Sequence, residues 1–168
     1  MSAEPTPITP RDLAAARPLA DALLSLNNSH AVALSWLEPD RFVHLVAEAF
    51  LALRIGRAEA LLVAFDQGAD YDSPNFLWFR QKYARFVYVD RVVVAGAARG
   101  RGHARRLYEA LFEKAFAAGH EQVVCEVNSD PPNPESDAFH ARLGFEEVGA
   151  AQILGGKKTV RYLARSLV

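Results

Sequence analysis

The segment from Val92 to Arg105 constrains this chain more than any other. An apolar run, Val92-Val93-Val94, passes through Gly96, Gly100 and Gly102 into a helical pattern with apolar Ala104, Leu107, Tyr108, Leu111, Ala115 and Ala118, closed by Gly119. A strand that turns on glycines straight into a helix belongs to an α/β layer structure, with the helix laid back across a sheet. The turn also has a chemical character. The first N–H groups of a helix have no intrahelical partner and lie at the positive end of its dipole, and here Arg99, Arg101 and Arg105 stand beside them. The backbone amides of Arg99, Gly100, Arg101, Gly102, His103 and Ala104 therefore suit a phosphate, unless the glycines only permit the turn and the arginines only face water. Two nucleotide readings fail. Gly96-x-x-x-Gly100-x-Gly102 has the spacing of a dinucleotide-binding turn, but that fingerprint follows the first strand of a long doubly wound sheet, and here it lies past the middle of 168 residues. A P-loop needs Gly-Lys-Ser or Gly-Lys-Thr at its end, which is missing.

Around this centre the chain reads as one domain over residues 1–168, long enough for a single core that buries roughly 70% of the unfolded surface. Lys and Arg number 19 against 20 Asp and Glu, a net charge of −1, so no extended basic face points to nucleic acid. Apolar stretches such as Ala60 to Phe65 fall far short of the ~20 residues that span a bilayer. Cys125 is alone, which excludes an internal disulfide and a multi-cysteine metal site, and no metal is expected. Met1 to Pro5 has no signal-peptide character, so a cytoplasmic protein is expected.

Residues 1–8 are expected to be flexible, and Thr9-Pro10 then caps a helix running through Leu13, Leu19, Leu23 and Leu26 to Asn27-Asn28. A second helix follows Glu38-Pro39, and strands 51–55 and 58–65 flank a tight Gly56-Arg57 turn. Residues 66–84 read as an inserted, partly helical flap rich in aromatics. After the strand–turn–helix unit come a strand over 122–128, a helix from Asn133-Pro134 to Leu143, and a hairpin of 145–152 with 157–164 about Gly155-Gly156.

Arg99-x-x-Gly102-x-Ala104 after a strand ending in Val94, with Asn133, Phe139 and Leu143-Gly144-Phe145 downstream, resembles the acyl-CoA-binding pattern of the GCN5-related N-acetyltransferase (GNAT) superfamily. The resemblance covers most of the chain and includes the order of elements. It implies a single α/β domain with a mixed, mostly antiparallel sheet flanked by helices and splayed between the fourth and fifth strands. It implies acetyl-CoA as acyl donor, with Val92, Val93 and Val94 pairing with the pantetheine arm, the turn amides and Arg105 on the pyrophosphate, and Asn133 near the pantetheine. Asn133 before a proline is equally an N-cap that needs no ligand.

Acetyl transfer to an amine needs a neutral nucleophile, a polarised carbonyl and a proton for the departing thiolate. Glu126, an acid in the apolar strand Val123 to Val127, is the first candidate base, and it resembles the acid of the family's protein N-terminal acetyltransferases. The alternative is a carboxylate facing solvent or paired with an arginine. Asp90 is the second candidate, unless it serves only as an ion pair with Arg91. Where the family has a tyrosine directly after the matching Phe, this sequence has His140. A histidine near its usual pKa of ~6.5 either donates a proton to the thiolate or only packs there while another group supplies it. Cys125 reads as a core residue.

For the acceptor, a small-molecule or peptide amine, Asn28, Tyr71 and Asp72 are the candidate contacts, with Asp66 and Asp70 adding negative charge to the aromatic flap. Trp78 and Phe79 suit core packing or a homodimer contact. A non-catalytic acyl-CoA-binding sensor with the same fold is the other function class.

Overall fold

The structure is a computed structural model that describes residues 3–31 and 34–168. In chain order it runs β1 (Thr6–Pro7), α1 (Pro10–Ala15), α2 (Arg17–Asn28), α3 (Pro39–Glu48), β2 (Leu51–Ile55), β3 (Ala60–Asp66), α4 (Pro74–Lys82) and β4 (Val87–Val94). A single 3-10 turn (Gly96–Ala98) leads to α5 (His103–Ala117), β5 (Gln122–Asp130), α6 (Pro134–Arg142), β6 (Glu146–Ile153) and β7 (Lys158–Ser166). The strands form one seven-stranded sheet in the order β1-β2-β3-β4-β5-β7-β6. Every pairing is antiparallel except β4 with β5, which run parallel and pair only at Val87–Val123 and Tyr88–Val124. Beyond Tyr88 the two strands part, and the sheet is splayed there.

Strand alternation splits the core into two layers. Leu13, Leu23, Phe42, Leu45, Phe76 and Phe79 from α1 to α4 pack with Phe65, Tyr88, Val124 and Tyr162 on one face. Leu107, Tyr108, Leu111 and Ala115 of α5 pack with Val87, Val89, Val123, Cys125 and Val127 on the other, and Phe139 and Leu143 of the α6 segment join that layer.

The structure departs from the sequence expectation in four places. Residues 3–8 are held down: Thr6–Pro7 pairs with β2, the Ile8 amide donates to the Ala52 carbonyl at 2.9 Å, and Ile8 is buried. Met1 and Ser2 lie outside the described residues. The first helix is two, broken at Ala16 (φ −135°, ψ 81°), because Pro18 has no N–H to continue the ladder and instead sits in the first turn of α2. The β2–β3 loop spans Gly56 to Glu59, since Ile55 pairs with Ala60. Residues 66–84 are no flap: α4 drives Phe76 and Phe79 fully into the core, and Trp78 stacks on Tyr162 at 4.2 Å. Gly149 makes that stack possible, because a Cβ there would sit 2.5 Å from Trp78 Cζ2.

Candidate active site

The glycine turn makes its bends with Gly100 at φ +78° and Gly102 at φ +76°, left-handed conformations that glycine adopts without penalty. No atom lies within 4 Å of a Cβ built at Gly96, Gly100 or Gly102, so the turn is open to an incoming group. Gly102 caps α5 without a side-chain hydrogen bond, and the first intrahelical donor is the Arg106 amide, onto the Gly102 carbonyl. The amides of His103, Ala104 and Arg105 therefore point outward at the positive helix end, which fits a phosphate. Arg99, Arg101 and Arg105 are exposed around them. Arg105 pairs with Glu109 at 2.9 Å, and an exposed i,i+4 pair of that kind contributes only ~0.3–0.5 kcal/mol and exchanges readily for a phosphate. His103 offers only its backbone. Its ring is buried, with Nε2 donating to Glu59 at 2.8 Å and Nδ1 accepting from Arg106 at 2.5 Å.

A β-bulge opposite Val63/Ala64 leaves Asp90 as the extra residue of β4. It shifts the alternation, so Asp90 and Arg91 both lie on the α1–α4 side while Val92 and Val94 pack toward α5. Arg91 donates from Nε to Asp90 at 2.7 Å and from Nη1 to the buried Asn27 at 2.8 Å. Tyr71 donates its hydroxyl to the other Asp90 oxygen at 2.5 Å. Asp90 is thus fully engaged as an ion pair. On their β5 side, Val92 to Val94 have no strand partner.

Through this gap runs a cleft of about 170 Å³, lined on one side by Asn75, Asp90, Arg91 and Glu126 and on the other by Tyr108, Cys125, Asn133 and His140. A second lobe of about 180 Å³ continues it on the α1–α4 side, lined by Ser35, Tyr71, Ser73 and Tyr88, with Asn75, Asp90, Arg91, Glu126 and Lys158 shared. Glu126 stands where the two meet. Its Oε2 accepts from the Tyr88 hydroxyl at 2.7 Å and its Oε1 from Asn75 Nδ2 at 3.1 Å, while Asn75 Oδ1 accepts from Tyr162 at 2.8 Å. Burial pushes the Glu126 carboxyl up to about 7, and the Tyr88 and Asn75 hydrogen bonds, which favour the charged form, keep it from rising further.

His140 is buried and held at both ring nitrogens. Nδ1 lies 2.8 Å from the Ser136 carbonyl oxygen, which can only accept, so Nδ1 carries the proton. Nε2, 2.9 Å from the Tyr108 hydroxyl, is then the acceptor. Burial lowers the His140 pKa from its usual value, so the ring is neutral at pH 7 and has no proton free for the cleft. The hydroxyl proton in that contact belongs to Tyr108, which donates it to His140 Nε2. The Tyr108 hydroxyl is held protonated, with a pKa pushed well above the ordinary 10 by burial. Cys125 is buried with its thiol pKa raised, as a core residue.

Asn133 is the N-cap of α6, its side chain accepting from the Ser136 amide at 3.2 Å, and it also lines the cleft. The acceptor candidates divide. Tyr71 lines the second lobe. Asn28 is a loop brace, exchanging two hydrogen bonds with Leu37 at 2.9 and 3.0 Å, and lies in a separate groove with Trp36. Asp72 is exposed and lines neither lobe, and nor do Asp66 and Asp70. Sequence reading missed Asn75, Tyr88, Tyr108 and Lys158. Tyr108 sits at an apolar position of α5, and its only signal was a hydroxyl where leucine would serve. Among the described residues no group of three or more His, Cys, Asp or Glu is placed to hold a metal. Among the described residues no helix is long and apolar enough to cross a membrane.

Over 102 residues the chain is 33% identical to a probable glucosamine 6-phosphate N-acetyltransferase 2 of Oryza sativa subsp. japonica, a match to 56% of this chain and 58% of that protein's length. Among solved structures, the ribosomal-protein-S18-alanine N-acetyltransferase of Escherichia coli superposes with a TM-score of 0.67 at 15% identity, over 97% of this chain and 92% of that one. A chain of the NatC complex bound to Gag peptide and CoA gives 0.72 at 12% identity, over 100% of both. These identities speak for the fold alone. The model of the Acetyltransferase (GNAT) family matches residues 34–145, two thirds of the sequence and all of the cleft walls but the β7 edge, and the chain belongs to that family.

Proposed function

We propose that this protein transfers an acetyl group from acetyl-CoA to a primary amine by direct attack within a ternary complex. The observation that carries the reading is a buried carboxyl, Glu126, held by Tyr88 and Asn75 where a cleft at the splayed β4–β5 edge meets a polar lobe on the α1–α4 side. The pyrophosphate of acetyl-CoA sits on the amides of Arg99 to Arg105 with the exposed arginines around it. The pantetheine arm lies along the unpaired edge of Val92 to Val94 and past Asn133, which brings the thioester into the splay beside Tyr108. The amine enters from the α1–α4 side, so the two substrates meet from opposite faces of the sheet.

Glu126 takes a proton from the ammonium, and the freed nitrogen attacks the thioester carbonyl carbon. A C–N bond forms, the carbonyl oxygen takes up charge, and collapse of the adduct breaks the C–S bond. The second N–H proton lost from nitrogen balances the thiolate, and CoA leaves as the thiol. As charge develops on sulfur, the Tyr108 hydroxyl rotates from neutral His140 to the thiolate, because a charged acceptor forms a bond roughly twice as strong as a neutral one. His140 is then a positioning residue that parks the Tyr108 proton, in place of a general acid.

A non-catalytic acyl-CoA sensor is the second reading, favoured by His140 standing where the family has its tyrosine. Release of free thiol from acetyl-CoA with a panel of primary amines separates the two. Amine-dependent release supports the enzyme; a rise in melting temperature with acetyl-CoA but no release with any amine supports the sensor. A flat melting temperature and no release would remove both.

A further inference from the structure

Lys158 stands out once the charges of the second lobe are paired off. The charged side chains lining it are Asp90, Arg91, Glu126 and Lys158. Asp90 and Arg91 neutralise each other at 2.7 Å, with both side chains 5% exposed. Glu126 is satisfied by Tyr88 and Asn75. Lys158 alone has no hydrogen-bond or ion-pair partner among the described residues, although it lines both lobes.

Its place follows from β7. Val160, Tyr162 and Ala164 face the α1–α4 layer, so by alternation Lys158 lies on that same face. Tyr162 pairs with Glu126 across the β5–β7 ladder, so Lys158 lies four residues along the strand from that pair, about 13 Å of rise, where it borders both lobes. Ser35, Tyr71 and Ser73 also line this lobe. The lobe is thus bipolar, with a proton acceptor at Glu126 and an uncommitted ammonium at Lys158, set apart along the β5–β7 ladder. The three aspartates expected to recruit a cationic acceptor are all outside it.

Building on the acetyl-transfer reading, we infer that the acceptor is a primary amine that carries an anionic group, a carboxylate or a phosphate, with Lys158 as the residue that selects it. The amine end gives its proton to Glu126 and reacts, and the anionic end replaces the missing partner of Lys158. A second positive charge in the acceptor meets Lys158 and is disfavoured.

The test uses matched acceptors on the full chain: β-alanine against propylamine, O-phosphoethanolamine against ethanolamine, and 1,3-diaminopropane, with thiol release as readout. The expected result is that at least one anionic amine exceeds its uncharged counterpart in kcat/KM by about tenfold or more, the range of one charged hydrogen bond, and that the diamine is the poorest. Lys158→Met should collapse that ratio toward one through KM for the amine, and Lys158→Arg should keep it. An equal or reversed preference overturns the inference, as does a ratio that survives Lys158→Met. It is equally overturned if Lys158→Met raises KM for acetyl-CoA in place of the amine. Absence of thiol release with every amine refutes the acetyl-transfer reading itself, which the anionic preference does not decide.

Discussion

Replacing Glu126 by Gln should lower activity and raise stability at once, and the two effects have one cause. A lysine-like ammonium has a pKa of about 10.4, so handing its proton to a carboxyl at about 7 costs about 4.6 kcal/mol, against about 8 kcal/mol for a carboxyl at the ordinary 4.5. Burial of Glu126 thus removes roughly 3 kcal/mol from the proton transfer. General-base removal typically costs 10²–10⁴ in rate, and E126Q should lose about that much kcat with little change in KM for acetyl-CoA. In the wild type kcat/KM should fall with slope one as pH drops below about 7, where Glu126 holds its proton, and that limb should vanish in the variant.

The stability side follows from linkage. The native carboxyl titrates near 7 and the unfolded one near 4.5, so its contribution to stability is fully present below pH 4.5, is lost as pH rises through that window, and is gone above 7. Gln carries no such cost, though its amide must donate to the Tyr88 oxygen, which returns part of the gain. A net gain of roughly 1–3 kcal/mol at pH 8 corresponds to about 2–12 °C in melting temperature for a chain of this size, shrinking toward zero at pH 4.5. Thermal melts of both proteins at pH 4.5 and pH 8 measure it. A variant that melts lower than wild type at pH 8, or retains the limb near pH 7, would refute the claim that Glu126 is a buried base.

Tyr88→Phe removes a hydrogen bond that favours ionised Glu126, so the acid limb should move above pH 7, read from the same pH–rate profile. Tyr108→Phe should lower kcat by about tenfold or more with KM for acetyl-CoA within about twofold, as expected for a bond strengthened only while thiolate forms. His140→Phe should cost less, since it frees the Tyr108 hydroxyl; a larger loss there than in Tyr108→Phe would return the proton path to His140. Gly102→Ala forces φ +76° on a side chain, costing about 1–2 kcal/mol, and should lower the melting temperature while weakening acetyl-CoA binding in a titration.

Much of the fold was legible because its determinants are local. The strand–glycine–helix unit, the Asn133-Pro134 cap and the hairpin about Gly155-Gly156 each carry their own turn chemistry, and the structure places them where the sequence reading did. Pro18 was legible too, but taking Leu13, Leu19, Leu23 and Leu26 as one apolar stripe masked the break at Ala16, although the six-residue step from Leu13 to Leu19 is out of helical register. The site was less so. Glu126 is visible as a lone acid in an apolar strand, whereas its partners Asn75 and Tyr88 come from α4 and β4, and strand periodicity reports which face a residue takes without reporting what lies across it. The bulge that puts Asp90 and Arg91 on one face leaves no local signature. Asp72 drew attention as charge beside aromatics, yet those aromatics turn inward and the aspartate stays in solvent.

The central claim is that acetyl leaves CoA for an amine under the control of Glu126. Amine-dependent thiol release by wild type and E126Q, followed from pH 6 to pH 9 with saturating acetyl-CoA, tests it most directly. Release should occur only with amine present, rise through pH 7 in wild type and fall about 10²–10⁴-fold at pH 8 in the variant. Equal release by the two proteins, or release from acetyl-CoA that does not depend on amine, would contradict it.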